Sequence, residues 1–383
     1  MRTLILPLLG LSFLLPSTVS GTSFTITYNG VPAEAQLAIE HAATIWTTIL
    51  DSEVPIKVRV NWFPMGTLAL GITFPNGRKD FAGAPLATTW YATSLANSIN
   101  GTELNVGEND FDVYLNSGTN WYYGTVGDPG NSEYDLVSIA LHEFGHGLGF
   151  VGLSKKVDAV GSFGLLLASD FAPLTTSFPW PELDTIPGVF DRYLKNQLDE
   201  VLTNAANPSD FLGSAFTSNQ IYWNGQIALA ANGDNSIRIY APSTYALGSS
   251  CVHLNESSYP PSSPNELMTP FSGAGDVNHW PGPICIGMLR DIGWNVMPGV
   301  GIEEARSAPT LLHVYPNPAQ EVITVSGGDQ SVGTTIAIAD VSGRTVLSTA
   351  DRSSVNIGAL APGTYTITRT QDGLRTVGTF IKE

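Results

Sequence analysis

The run Leu141-His142-Glu143-Phe144-Gly145-His146-Gly147-Leu148-Gly149-Phe150 constrains this chain more than any other stretch of it. At 3.6 residues per turn Val137, Leu141, Phe144 and Leu148 share one face, so the spacing predicts a helix that joins a core on its apolar side. Ser132 and Asp135 are placed to start it, and Gly149 to stop it. His142 and His146, four apart, then lie together on another face, where both imidazoles can reach one ion. Three protein ligands on such an ion leave a position open to water, and Glu143 is placed to take that water's proton. The plain alternative is two ordinary, partly buried histidines. The helical context, the glycine stop and the intervening Glu143 favour a metal centre with hydrolytic chemistry.

A third ligand is needed, and the remaining histidines are His41, His253, His279 and His313. His41 lies on an amphipathic stretch and reads as a surface residue, while His313 follows a linker. His253 and His279 are the histidine candidates, with an aspartate or glutamate also open.

Around this motif the chain reads as strand Ser23–Tyr28, helix Pro32–Leu50 (apolar at Leu37, Ile39, Ala42, Ile45 and Ile49), strand Pro55–Phe63 and an alternating strand Phe111–Leu115 with Phe111, Val113 and Leu115 on one face. Residues 153–252 are poorly periodic, with a short helix expected at Phe190–Leu202, strand-like pieces at Ile221–Trp223 and Ile237–Tyr240, and loops elsewhere. A helix over Pro283–Asp291, stopped by Gly293, closes this part, and Gly- and Pro-containing residues 298–310 read as a linker. Five short β-rich runs follow, Glu321–Val325, Thr334–Ala339, Arg344–Ser348, Thr364–Thr368 and Thr376–Ile381. Turns at Ser342-Gly343, Pro362-Gly363 and Asp372-Gly373 separate them and predict a small antiparallel sandwich. The expected fold class is α+β: a mixed twisted sheet with an active-site helix, then a small all-β domain.

Residues 1–20, with Arg2, the apolar Leu4–Leu15 stretch and small residues up to Ser20, read as a cleaved export signal, too short to span a bilayer. No later segment reaches spanning length, so no membrane span is expected in the mature chain. Export leads to an oxidising compartment, where Cys251 and Cys285 are expected to form a disulfide; Cys251 as a thiolate ligand beside His253 is the alternative. With 34 acidic against 17 basic residues the net charge is -17, which disfavours phosphate backbones and anionic membrane surfaces, so no nucleic-acid partner is expected. No well-spaced acidic loop calls for calcium.

The motif resembles that of metzincin zinc proteases, whose H-E-x-x-H extends to H-E-x-x-H-x-x-G-x-x-H and is followed by a methionine turn. Gly149 matches the glycine, but Gly152 stands where the third histidine is expected. The chain is similar to leishmanolysin-like members, in which an insertion delays that histidine until just before the turn. The resemblance implies a zinc peptidase domain over residues 21–297, an insertion at about 153–252, His142, His146 and His253 on Zn2+, and Glu143 as general base. It also places Met268 of Asn265-Glu266-Leu267-Met268-Thr269-Pro270 in the methionine turn. Protein or peptide substrates would lie extended along a sheet edge, with loops around 271–283 setting specificity. No upstream cysteine or long propeptide is expected to confer latency. A non-catalytic adhesin or glycan binder with structural zinc, and a hydrolase of non-peptide substrates, are the competing expectations.

Residues 311–383 resemble the C-terminal sorting domains of type IX secretion in Bacteroidota. The matching residues are Val314-Tyr315-Pro316-Asn317-Pro318-Ala319, Val341-Ser342-Gly343-Arg344, Leu360-Ala361-Pro362-Gly363-Thr364-Tyr365 and the closing Phe380-Ile381-Lys382. This implies contact with the type IX machinery and release from, or attachment to, the outer cell surface.

Overall fold

A computed structural model describes residues 21–67, 69–174, 184–297, 312–326, 335–340, 344–350, 354–371 and 374–383. The export signal, the linker and the turns at Ser342-Gly343 and Asp372-Gly373 lie outside the described residues.

The N-terminal part is built on β1 (Phe24–Asn29), α1 (Ala33–Thr47), β2 (Ile56–Phe63) and β3 (Gly71–Pro75). A β4 (Gly77–Lys79) and β5 (Trp90–Ala92) ladder follows, then α2 (Thr93–Asn100) and β6 (Phe111–Asn116). The main sheet has the order β1-β2-β6-β3, with β1, β2 and β6 parallel and β3 antiparallel at the edge. A short parallel pair, β7 (Trp121–Tyr122) with β8 (Tyr134–Asp135), leads into α3 (Leu136–Gly147), the helix of the histidine motif. Helix α3 packs on α1, β3 and β6, and the Trp46 indole of α1 donates to the Leu141 carbonyl at 3.1 Å.

Two expectations change here. Leu37 is 65% exposed, and α1 instead buries Ala35, Ala38, Ile39, Ala42, Ala43 and Trp46, because its packing face is a stripe of small residues that lets α3 approach. Strand β6 is buried along all six residues rather than on one face. Asp112 on its second face pairs with Arg59 at 2.7 Å, and Asn116 donates to the Gly66 and Ala69 carbonyls, so the polar residues of the alternation find partners inside the protein.

Residues 153–174 and 184–252 carry more regular structure than their sequence suggests. They form the hairpin β9 (Ser154–Val157) and β10 (Val160–Phe163), then β11 (Leu194–Asn196), α4 (Asp210–Ala215), β12 (Ile221–Trp223), α5 (Gln226–Ala231) and β13 (Ile237–Ile239). The helix expected over Phe190–Leu202 is replaced by a 3₁₀ turn at Phe190–Tyr193, strand β11 and a second turn at Leu202–Asn204. Pairing of Leu194 with Trp223 across the antiparallel β11-β12-β13 sheet overrides the local pattern. Buried Asp191 accepts the Leu153 and Gly188 amides at 3.0 and 2.8 Å and so ties this region to the exit of α3. Burial pushes its carboxyl up to about 7. Phe190, Leu194, Phe216, Trp223 and Ile239 belong to the same core as α1 and α3.

Helix α6 (Gly282–Ile292) ends at Gly293, whose φ of 124° is one that an L side chain rarely adopts. The bridge expected between Cys251 and Cys285 is not formed: both thiols are free and buried. Cys251 sits beside Ser154 and Asp191, whereas Cys285 packs within α6, and burial pushes both thiols up.

The C-terminal strands are β14 (His313–Tyr315), β15 (Val322–Ser326), β16 (Thr335–Ala339), β17 (Thr345–Ala350), β18 (Ser354–Asn356), β19 (Gly363–Gln371) and β20 (Leu374–Lys382). They form two antiparallel sheets, β14-β15-β18 and β17-β16-β19-β20. Ile323, Val325 and Val355 of one meet Ile336, Ile338, Ile367 and Phe380 of the other in a separate core.

Close packing of α3 on β6 uses Gly147, where a Cβ would overlap the Phe111 ring. Alanine would gain ~1 kcal/mol of helix propensity. Overpacking a fully buried ring costs about 3 kcal/mol, so the clash wins. Gly147→Ala is expected to lower the melting temperature by roughly 4–8 °C. An unchanged melt would mean that the Phe111 ring yields.

Candidate metal centre

Helix α3 is set by its N-cap. Asp135 Oδ1 accepts the Ser138 amide and hydroxyl, each at 2.7 Å, and also His279 Nε2 at 2.8 Å. Wall residue Asn278 donates its amide to Ser138 Oγ at 2.7 Å, so the 276–279 segment is fastened to the first turn of the helix. His279 is therefore committed to capping, with His41 edge-on to it at 6.1 Å, and neither reaches the motif.

His253 does reach it. The chain leaves β13, bonds back to it through Tyr240 N to His253 O at 2.8 Å, and pairs Leu254 N with Met268 O at 2.8 Å. This fixes His253 and the Leu267–Met268 turn side by side beneath α3. Met268 is fully buried, and its sulphur would lie 2.8 Å from a Cβ at Gly145, so a side chain there would displace the turn.

The three ring orientations define a chemistry. His142 Nδ1 donates to Leu267 O at 2.5 Å, His146 Nδ1 to Phe150 O at 2.6 Å and His253 Nδ1 to Ser249 O at 2.9 Å. A carbonyl only accepts, so each Nδ1 carries the proton and each Nε2 presents a bare lone pair. Those Nε2 atoms stand 3.0, 3.2 and 3.3 Å apart. With no proton between them, three converging lone pairs repel unless a cation sits among them. Nitrogens at ~2.0–2.1 Å on a tetrahedral ion lie roughly 3.3 Å apart, so the spacing fits. Burial holds all three imidazoles below their usual range, His253 down to about 3, with the neighbouring rings adding to the effect at His146 and His253. The trio thus could hold a metal ion, and no other such group of His, Cys, Asp and Glu occurs among the described residues.

Glu143, 4% exposed, stands beside the trio. Its Oε2 accepts Thr73 Oγ1 at 2.7 Å, and a Cβ at Gly71 would lie 2.5 Å from its Oε1. Burial pushes its carboxyl up to about 8, against the opposing effect of the Thr73 hydrogen bond. The centre opens on a cleft of about 730 Å³, walled by β3, the first turn of α3, residues 247–253 and the 266–278 segment. Gly71 and Thr73 escaped the sequence reading. The Gly-Ile-Thr-Phe-Pro run, with proline at its end, carries a weak edge-strand signal.

The C-terminal residues 313–383 match the family model of the secretion system C-terminal sorting domain. A search of curated proteins found no match. The sorting domain sends the chain through the type IX system to the cell surface or the extracellular space and implies interaction with that machinery. Among the described residues no helix is long and apolar enough to cross a membrane.

Proposed function

We propose that this chain is an exported zinc endopeptidase of the metzincin type, with His142, His146 and His253 as ligands and Glu143 as general base and acid. The observation that carries this reading is the convergence of three unprotonated Nε2 atoms beside a buried carboxylate at the floor of an open cleft. Three neutral imidazoles suit zinc, though other first-row ions accept them too.

When bound, zinc would supply Lewis-acid polarisation of the scissile carbonyl and make water acidic enough to attack at neutral pH. The protein does the rest. Carbonyl acceptors hold the three rings in the ligating tautomer. Glu143, whose burial raises its affinity for a proton, takes one from water and returns it to the leaving amine. Strand β3, an edge strand lining the cleft, offers an extended backbone along which a peptide can lie. Met268 supports the floor.

A structural zinc in an adhesin or glycan binder would be closed by a fourth side chain, and the described residues offer three. The test is reversible metal removal. Casein hydrolysis by the secreted protein should vanish in a chelator and return with about one zinc per chain. Stoichiometric zinc without hydrolysis of casein would sink the peptidase reading and favour the surface protein.

A further inference from the structure

We infer that Thr73 is a positioning residue for Glu143, and that Gly71 and Thr73 of β3 together form the seat of that carboxylate; the inference rests on the peptidase reading above. Glu143 projects from α3 across to the edge strand, where residues 71 and 73 share a strand face by their two-residue spacing. Thr73 Oγ1 is the side-chain donor to Oε2, at 2.7 Å. At Gly71 the space that a Cβ would need is taken by the carboxylate itself, with Oε1, Cδ and Cγ at 2.5, 2.7 and 2.7 Å. One residue binds an oxygen and the other makes room for it. Both parts of the seat are supplied from β3.

The physical consequence follows from desolvation. A carboxyl group that is 4% exposed has little water to orient it, so the Thr73 hydrogen bond decides which way its plane faces. The same strand borders the cleft, so the bed for a peptide and the seat of the general base are one element. A shift of β3 would move both.

The test compares Thr73→Val, which keeps the β-branched shape and loses the hydroxyl, with Thr73→Ser, which keeps the hydroxyl. With fluorescein-labelled casein, Thr73→Val should lower kcat about 10–100-fold, the usual effect of losing a partner that orients a reacting group. KM and zinc content should change little, and Thr73→Ser should stay within about threefold of wild type. In crystals of the metal-free proteins, the Glu143 carboxylate should leave its place or split between rotamers in Thr73→Val and stay in Thr73→Ser. An unmoved carboxylate in Thr73→Val, or equal damage by both substitutions, overturns the inference. If the wild-type protein binds zinc and leaves casein intact, the peptidase reading fails and the crystal comparison still decides the seat.

Discussion

Replacing Glu143 with alanine is expected to lower casein hydrolysis by about 10²–10⁴-fold, the range a positioned acid–base group supplies, while zinc content stays at the wild-type level. The retention of zinc follows from the ligand set. None of the three Nδ1 hydrogen bonds involves Glu143, so the rings keep their tautomers without it. Stability supplies a second, independent sign. Glu143 has a folded-state affinity for protons raised from 4.5 to about 8, so folding takes up a proton between those values. A raised carboxyl adds stability below 4.5 that is lost as pH climbs towards 8, so at neutral pH the proton that folding must draw from solution burdens the metal-free fold. Metal-free Glu143→Ala should therefore melt higher than wild type at pH 7.5, with the gap narrowing at pH 5. Thermal unfolding at both pH values checks this, and a gap that widens on acidification would show that Glu143 is ionised and satisfied in the fold. Full hydrolytic activity in Glu143→Ala would remove the assigned role.

His253→Ala should weaken zinc binding by about two to three orders of magnitude, one ligand's share of the ~10–16 kcal/mol that four ligands supply to structural zinc. His279→Ala is the control. Its Nε2 is bonded to Asp135 at 2.8 Å, so its loss should leave zinc affinity unchanged and cost stability at the α3 cap. Competition with a fluorescent zinc chelator measures both. Unaltered affinity in His253→Ala, or a loss in His279→Ala, would assign the third ligand wrongly.

These two histidines show where the sequence runs out. His142, Glu143 and His146 were legible because a helix makes residues one turn apart neighbours, a local rule that needs no fold. His253 lies 107 residues beyond His146, and residue type alone left it level with His279. Resemblance chose it; the backbone pairing of Leu254 with Met268 and of His253 with Tyr240 is what brings it in. The bridge between Cys251 and Cys285 was inferred from compartment, which says that thiols are oxidised outside the cell but not that two given thiols meet.

The sequence by itself determined the helix of the motif, strands β1, β2 and β6, the stop at Gly293 and the all-β sorting region, because periodicity and turn residues are local properties. Tertiary structure alone decided that β6 is buried on both faces, that 190–202 is turn and strand rather than helix, and that Thr73 and Gly71 receive Glu143. Each of these depends on what a distant segment places opposite, and a chain read in order carries no record of which segments will become neighbours.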